Sequence, residues 1–424
     1  MRNRVIDILK GTSGISDWKV NSTRTESVEL FFVHKALETV RSTDTTDIKV
    51  TVYAEHDGKM GEATFSVYSS YDDEKIAGEI EKAIKKANII GNQPYSLPAC
   101  EVGEYVAPSN FANYDARELA SLISDACFEA DCVKGGSLNA TEIFVYKDTV
   151  SIVNSCGIDK SQVKYRAMVE AIPTFTGEES VELYEQYNFT EFERELIVEE
   201  IAKKMREVRD RYEAKAPEGK LSCPVVLDAP ELEQLFGNFI GNLNFSMVYQ
   251  HSNAFNVGDD IQKDACGDRI TLAMRGAVKG SVRSSVFDGD GVNLTDRVII
   301  EGGKAISLWG GTRFAQYLGE APTGNLGCMS VECGSLSDEE KRSAPYFRCA
   351  SMSGLQVDIY NDYIGGEVRL GYYFDGEREI PVTGISISGK LSSALANMRL
   401  SNEAITYESY NGPKCAIFEG IEIV

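Results

Sequence analysis

A chain of 424 residues, 43% hydrophobic, is long enough for two or three domains and too apolar for wholesale disorder. Its formal charge of −22, from 65 acidic and 43 basic residues, repels phosphate backbones and argues against direct nucleic-acid binding. No window approaches the roughly 18 apolar residues of a membrane span, and MRNRVIDILKGTSG has no signal-peptide pattern, so a cytoplasmic protein is expected.

Taken in chain order, RVIDILK (4–10) predicts a short helix, and ELFFVHK (29–35) opens a run of strand-like alternation. The run continues through DIKVTVYAEHDGKMGEATFSVY (47–68), where HDGK marks a turn between two strands. A helix follows at DDEKIAGEIEKAIKKAN (72–88), with an aspartate cap, acids in its first turn and lysines toward its end. The pattern then recurs: a helix at 115–130, strands from EIFVYK (142–147) through 161–187, and a helix over 190–212 capped by Thr190. ELFFVHK resembles EIFVYK, and the repeat of about 115 residues predicts two fused α+β halves, about 1–100 and 113–212. The basic stretch KKMREVRDRYEAK (203–215) alternates with acids and reads as a solvated helix face.

EAKAPEGKLSCP (213–224) breaks the helical pattern and divides an N-terminal α+β domain, 1–215, from a β-rich domain, 222–424. VVL (225–227) reads as a buried strand, and LEQLFGNFIGNLN (232–244) as a helix. Leu232, Leu235, Phe236, Phe239, Ile240 and Leu243 form its apolar face; Glu233, Gln234, Gly237, Asn238, Gly241 and Asn242 lie opposite. Two glycines four apart weaken a helix by roughly 1 kcal/mol each, so either close packing or a need for bare backbone should compensate. From residue 270 onward, short alternating segments with glycine-rich turns predict a mostly antiparallel domain, a barrel or sandwich, closed by IFEGIEIV as a terminal strand. The fold class is therefore α+β.

Ten cysteines form no C-x-x-C pair, and the C-x4-C spacings at 127/132 and 328/333 match no compact zinc module. They read as buried, reduced thiols. The three histidines, His34, His56 and His251, are isolated from one another. FDGDG (287–291) lacks the oxygen ladder of a calcium loop, because Val292 and Leu294 interrupt it. APTGN (321–325) offers only a weak anion-binding signal.

The order D-G-D-G-V, arginine, isoleucine, glycine, LG and TGN across 285–325 resembles the TldD/PmbA family, known as modulators of DNA gyrase and as metalloproteases. The likeness extends through VVLDAPELEQLFGNFIGNLN and SNAF…GD (252–259) upstream and through 361–391 downstream. In the TldD type this helix carries His-Glu-x-x-x-His, with a downstream cysteine as a further ligand. A hydrolytic zinc needs about three protein ligands, an open water position and a base beside it. Here the motif falls on Gly237, Asn238 and Asn242, which supply neither imidazole nor base. No histidine lies between 57 and 250, so a register slip restores nothing. Cys415, in SYNGPKCAIFEG, falls near the family's ligand cysteine and needs no role beyond that of a buried thiol.

The resemblance is thus to the PmbA/TldE type lacking the motif. It implies a non-catalytic, pseudoenzyme-like subunit paired with a TldD-like chain that holds the zinc, with no catalytic, cofactor or metal residue of its own. The pair would act on small or unfolded peptides, in the maturation of microcin precursors and the degradation of antitoxins. Such a subunit would be inactive alone and a homodimer when isolated. Two other readings stand beside it: a stand-alone peptide-binding or scaffold homodimer, and a hydrolase using Cys266 with His251 as base.

Overall fold

The computed structural model describes all 424 residues. Its first half contains α1 (Arg2–Gly11), β1 (Asp17–Val33), β2 (Ala36–His56), β3 (Lys59–Val67) and α2 (Asp73–Ala87). After β4 (Val102–Val106), the same order returns as α3 (Ala116–Ala130), β5 (Gly136–Asn154), β6 (Asp159–Thr176), two short strands β7 (Ser180–Glu182) and β8 (Glu185–Phe189), and α4 (Arg194–Glu213). All eight strands join one sheet in the order β3-β2-β1-β5-β6-β4, with β7 and β8 on β6. The two similar segments lie side by side at its centre, where Glu29 pairs with Phe144 and Leu30 with Ile143 in antiparallel register.

Strand alternation gives this sheet two unlike faces. Trp18, Val20, Ile48 and Val50 pack beneath α1 and α2, while Leu30, Phe32, Ile143 and Val145 pack beneath α3 and α4. The opposite face is polar: Arg166 donates to Asp148 at 2.8 Å and lies over the Tyr146 ring at 3.7 Å, and Ser27 donates to Glu29 at 2.8 Å. β3 pairs with β2 only from Ile48 onward, so residues 36–47 of β2 keep one unpaired backbone edge.

Helix α2 has its expected cap, Asp72 accepting from the Lys75 N–H at 2.8 Å. Helix α4 departs from expectation. It begins at Arg194, not at Thr190, because the Thr190 carbonyl accepts from Ser109 and the Phe192 N–H is held by Asn110 at 2.8 Å. Nor is 203–215 a solvated face throughout. Lys204 pairs with Glu185 at 3.1 Å and Glu207 at 3.0 Å, Glu207 is 4% exposed, and Asp210 accepts from Tyr372 at 2.9 Å. The helix is packed on both sides, by the first sheet and by the sheet that follows.

The second half begins with β9 (Val225–Asp228), α5 (Ala229–Asn242) and α6 (Phe245–Tyr249). Next come β10 (Leu272–Arg275), β11 (Arg297–Glu301), β12 (Lys304–Ala305), α7 (Thr312–Leu318), β13 (Cys328–Val331), α8 (Asp338–Lys341), β14 (Tyr346–Met352), β15 (Gln356–Asp358) and β16 (Tyr363–Phe374). The last elements are β17 (Glu379–Val382), β18 (Ile385–Lys390), α9 (Leu391–Ala396), β19 (Arg399–Leu400), β20 (Ala404–Tyr407), β21 (Tyr410–Pro413), β22 (Cys415–Phe418) and β23 (Ile421–Ile423). One sheet runs β12-β11-β10-β13-β21-β20; the other runs β19-β22-β9-β14-β16-β18-β23, with β15 and β17 on β16. Pairing is antiparallel except at β9–β14 and β13–β21.

IFEGIEIV is two strands, not one. Gly420 turns at φ +82°, and a Cβ there would meet the Ser393 hydroxyl at 2.6 Å. β22 then pairs with β9, while β23 pairs with β18 at the far end of the order. Only two residues separate these strands, so the sheet must curl back on itself. Helix α5 fills the resulting core through Leu232, Leu235, Phe236 and Phe239, with the Phe236 and Tyr410 rings stacked at 6.2 Å. No helix is long and apolar enough to cross a membrane.

Candidate functional site

Helix α5 leaves β9 at Asp228, with Pro230 in its first turn, where a missing N–H costs nothing. Its buried stripe follows the helical period, but two polar residues share it. Asn242, expected on the outer face, is 7% exposed, because it stands seven residues after Leu235 and three after Phe239. Glu231, four residues before Leu235, is also 7% exposed. Burial, reinforced by the neighbouring Asp228 carboxylate, pushes its carboxyl up to about 8. This buried acid was not anticipated, although its spacing from Leu235 was the available signal.

The three motif positions are placed as follows. A Cβ added at Gly237 or Gly241 would meet no atom within 4 Å, so close packing does not account for either glycine. The Asn238 amide donates to the Gln234 carbonyl at 2.9 Å, one turn back along its own helix. The Asn242 amide likewise donates to the Asn238 carbonyl at 2.9 Å, and its oxygen accepts from the Ala254 N–H at 2.6 Å. Gln234 adds a link to the residue just before β15, accepting from the Leu355 N–H at 3.2 Å. The polar amides therefore brace the helix and the loop after it.

These residues do not fit a hydrolytic zinc. Gly237 has no donor, and the one oxygen of Asn242 is committed to a backbone N–H. Cys415 is 6% exposed at the start of β22, directly opposite Asp228. Asp228 stands at the N-cap position of α5, and Gly237 lies nine residues further on, about 13 Å at 1.5 Å per residue. The structure thus keeps Cys415 apart from the motif positions, and burial holds its thiol above the ordinary range. No group of three His, Cys, Asp or Glu side chains is placed to hold a metal ion anywhere in the molecule.

His251 and Cys266 are not brought together. His251 closes α6 in a left-handed conformation, φ +54°, and the Cys266 thiol donates to the Asp264 carbonyl at 3.6 Å, with no imidazole in reach. His34 lies in the β1–β2 turn and His56 at the end of β2.

The two loop motifs that carried the family likeness meet in space. Asp288 is 8% exposed; one carboxylate oxygen accepts from the Asp290 and Val292 N–H groups at 2.9 and 3.1 Å. The other accepts from the Asn325 backbone at 3.0 Å and its amide at 3.3 Å, joining the DGDG loop to the TGN loop. Burial still leaves the carboxyl shifted upward. With both oxygens engaged by N–H donors, this aspartate is a brace. The same loop receives the first sheet: Lys160, fully buried on β6, donates to the Gly291 carbonyl and to Asn293, each at 2.7 Å, and pairs with Glu101 at 2.8 Å. Lys19 pairs with Asp290 at 2.5 Å.

Residues 219–424 match the PmbA/TldA metallopeptidase C-terminal domain profile. The whole chain superimposes on the structure of TldE from Thermococcus kodakarensis, with a TM-score of 0.80 at 16% identity, covering 100% of this chain and 99% of that one. A proposed modulator of a DNA gyrase from Thermotoga maritima MSB8 gives 0.75 at 17% identity, covering 100% and 99% of the two chains. A similar protein from Bacteroides thetaiotaomicron VPI-5482 gives 0.79 at 15% identity, covering 100% and 97%. No match was found among curated proteins. At such identities the solved structures establish a common fold along the full length, and the profile establishes the lineage of its second half. The second half of the chain, residues 219–424, thus belongs with the PmbA/TldA metallopeptidase C-terminal domains, and the whole chain has the fold of the TldE and gyrase-modulator structures.

Proposed function

We propose that this chain is a PmbA/TldE-like, non-catalytic subunit that works beside a TldD-like catalytic chain in cleaving small or unfolded peptides. The observation that carries the reading is the chemistry of α5: at the motif positions stand Gly237, Asn238 and Asn242, and the asparagine amides are consumed in bracing their own helix. Hydrolysis by a zinc-bound water needs imidazole or carboxylate ligands and a base, so the metal and the base come from the partner. The subunit's own contribution is to shape the cleft and to hold an extended peptide as an added strand. The unpaired edge of β2 over residues 36–47 supports a role in association, since such an edge offers a row of free N–H and C=O groups. In isolation the chain would dimerise with itself, and its place of work is the cytoplasm.

The test is co-purification with a TldD-like chain, followed by cleavage of an unstructured peptide with and without a chelator. The isolated chain is expected to hold less than stoichiometric zinc and to leave the peptide intact; the mixture is expected to cleave it, and the chelator to stop it. Peptide hydrolysis by the isolated chain, with about one zinc per protomer, would refute the proposal.

A further inference from the structure

The segment that joins α2 to β4 runs against the turn between β5 and β6, and it brings two cysteines together. The Cys100 N–H donates to the Cys156 carbonyl at 3.0 Å, and the Cys100 thiol lies 3.8 Å from the same oxygen. Gly157 lies beside Cys100, where a Cβ would make ordinary van der Waals contact with the Cys100 nitrogen at 3.5 Å. A backbone N–H···O bond of this length keeps the two Cα atoms within about 7 Å, the limit beyond which two cysteines cannot be bridged without backbone movement. Among the ten cysteines, no other pair is joined by a hydrogen bond. No group of three His, Cys, Asp or Glu side chains placed to hold a metal ion occurs here.

The two thiols differ in a way that suits sequential oxidation. Cys100 is exposed, in a left-handed turn at φ +58°. Cys156 is half-buried, and its thiol donates to the Asp17 carboxylate at 3.4 Å. Burial, then Asp17, raises the Cys156 thiol above its ordinary range, which leaves Cys100 as the thiol open to attack from solvent.

We propose that Cys100 and Cys156 are an oxidative modification site, closing an intramolecular disulfide when the protein meets a hydroperoxide. In the first step the Cys100 sulfur attacks the O–O bond of hydrogen peroxide, giving a sulfenic acid and releasing one water. In the second, the Cys156 sulfur attacks the Cys100 sulfur, the S–O bond breaks, and a second water leaves with the proton from Cys156. Two thiols and one peroxide thus become one disulfide and two waters. Two electrons pass from sulfur to oxygen, and a small dithiol reverses the change.

The link would fasten a strap that already holds the two halves of the chain together. Gln316 of α7 grips Ser96 at both backbone positions, 2.9 and 2.8 Å, and the Tyr317 hydroxyl donates to the Gln93 carbonyl. Closing the long loop from Cys100 to Cys156 restricts the unfolded chain, so the oxidised protein should be the more heat-stable form.

The experiment uses the full chain, reduced, desalted and treated with a few-fold excess of hydrogen peroxide, then alkylated and digested without reductant for mass spectrometry. The expected product is one dominant linked peptide containing Cys100 and Cys156, lighter by two hydrogens than its parts and dissolved by dithiothreitol. It should be absent from Cys100→Ser, whose exposed position leaves folding intact. The thermal midpoint should rise by several degrees on oxidation of the wild type and stay unchanged in Cys100→Ser. The proposal is overturned if Cys100 advances to the sulfinic acid with no link to Cys156. It is equally overturned if linkage through the exposed Cys132, Cys266 or Cys333 between molecules is the main product.

Discussion

Gly237 and Gly241 stand in the interior of α5 with open space where a side chain would be. Alanine at either position adds no clash and reduces the freedom of the unfolded chain. Gly237→Ala and Gly241→Ala are each expected to stabilise the protein by about 0.5–1 kcal/mol, seen as a higher urea midpoint at unchanged slope. A lower midpoint would show that something occupies that space. The glycines thus weaken the helix without serving its packing. Glu231 is the second residue whose environment makes a measurable prediction. Its ordinary carboxyl value is 4.5 and its folded value about 8, so between these the folded state retains a proton that the unfolded state has lost. Stability therefore falls as pH rises through that window. Glu231→Gln is expected to gain on the wild type from pH 5 to pH 8 and to level off above it, by roughly 3–5 kcal/mol if the full shift is expressed. Parallel stability curves for the two proteins would refute the assignment.

At the level of elements, what was legible in the sequence was local. The two helix–strand–strand–helix units, the HDGK turn and the helix after VVL follow from periodicity and turn chemistry within a few residues. The failures came where distant residues decide. Helix α4 starts late because Asn110, more than eighty residues away, holds the Phe192 N–H. Its lysines and acids looked solvated because nothing nearby reveals that Glu185 and the β16 strand close over them. Lys204 is the centre of that buried group, paired with both Glu185 and Glu207. Lys204→Met would leave two carboxylates with no counter-charge, a change expected to destabilise by about 3–5 kcal/mol. Lys203→Met, one residue earlier on the same helix, should cost under about 1 kcal/mol. Equal effects of the two substitutions in denaturant unfolding would mean that the Lys204 pairs are not the buried contacts described.

For the whole molecule, the motifs that identified the family turn out to be its joint. DGDG and TGN carried no legible chemistry in sequence because their partners come from elsewhere: Asp288 needs Asn325, and the loop needs Lys160 and Gln162 from the first sheet. Lys160 donates to two acceptors on that loop and pairs with Glu101, while Gln162 accepts from Ser285 at 3.1 Å and from the Val286 N–H at 3.0 Å. The residue types on α5, Gly237 and Asn238 among them, could be read directly from the sequence; the joint could not, because it is defined only by contacts. Lys160→Met keeps the length and bulk of the side chain but removes its three donors. Glu101, 41% exposed at its side chain, can return to water, whereas the Gly291 carbonyl, held against a fully buried side chain, loses its donor. A cost of about 1–3 kcal/mol is expected. Because this contact ties the first sheet to the second half, the loss should also separate their unfolding. Calorimetry of the variant is expected to show a van't Hoff enthalpy well below the calorimetric one, with the ratio nearer to unity in the wild type. A downward shift in midpoint with that ratio unchanged would confine the role of Lys160 to the first sheet, and the loop would not be the joint.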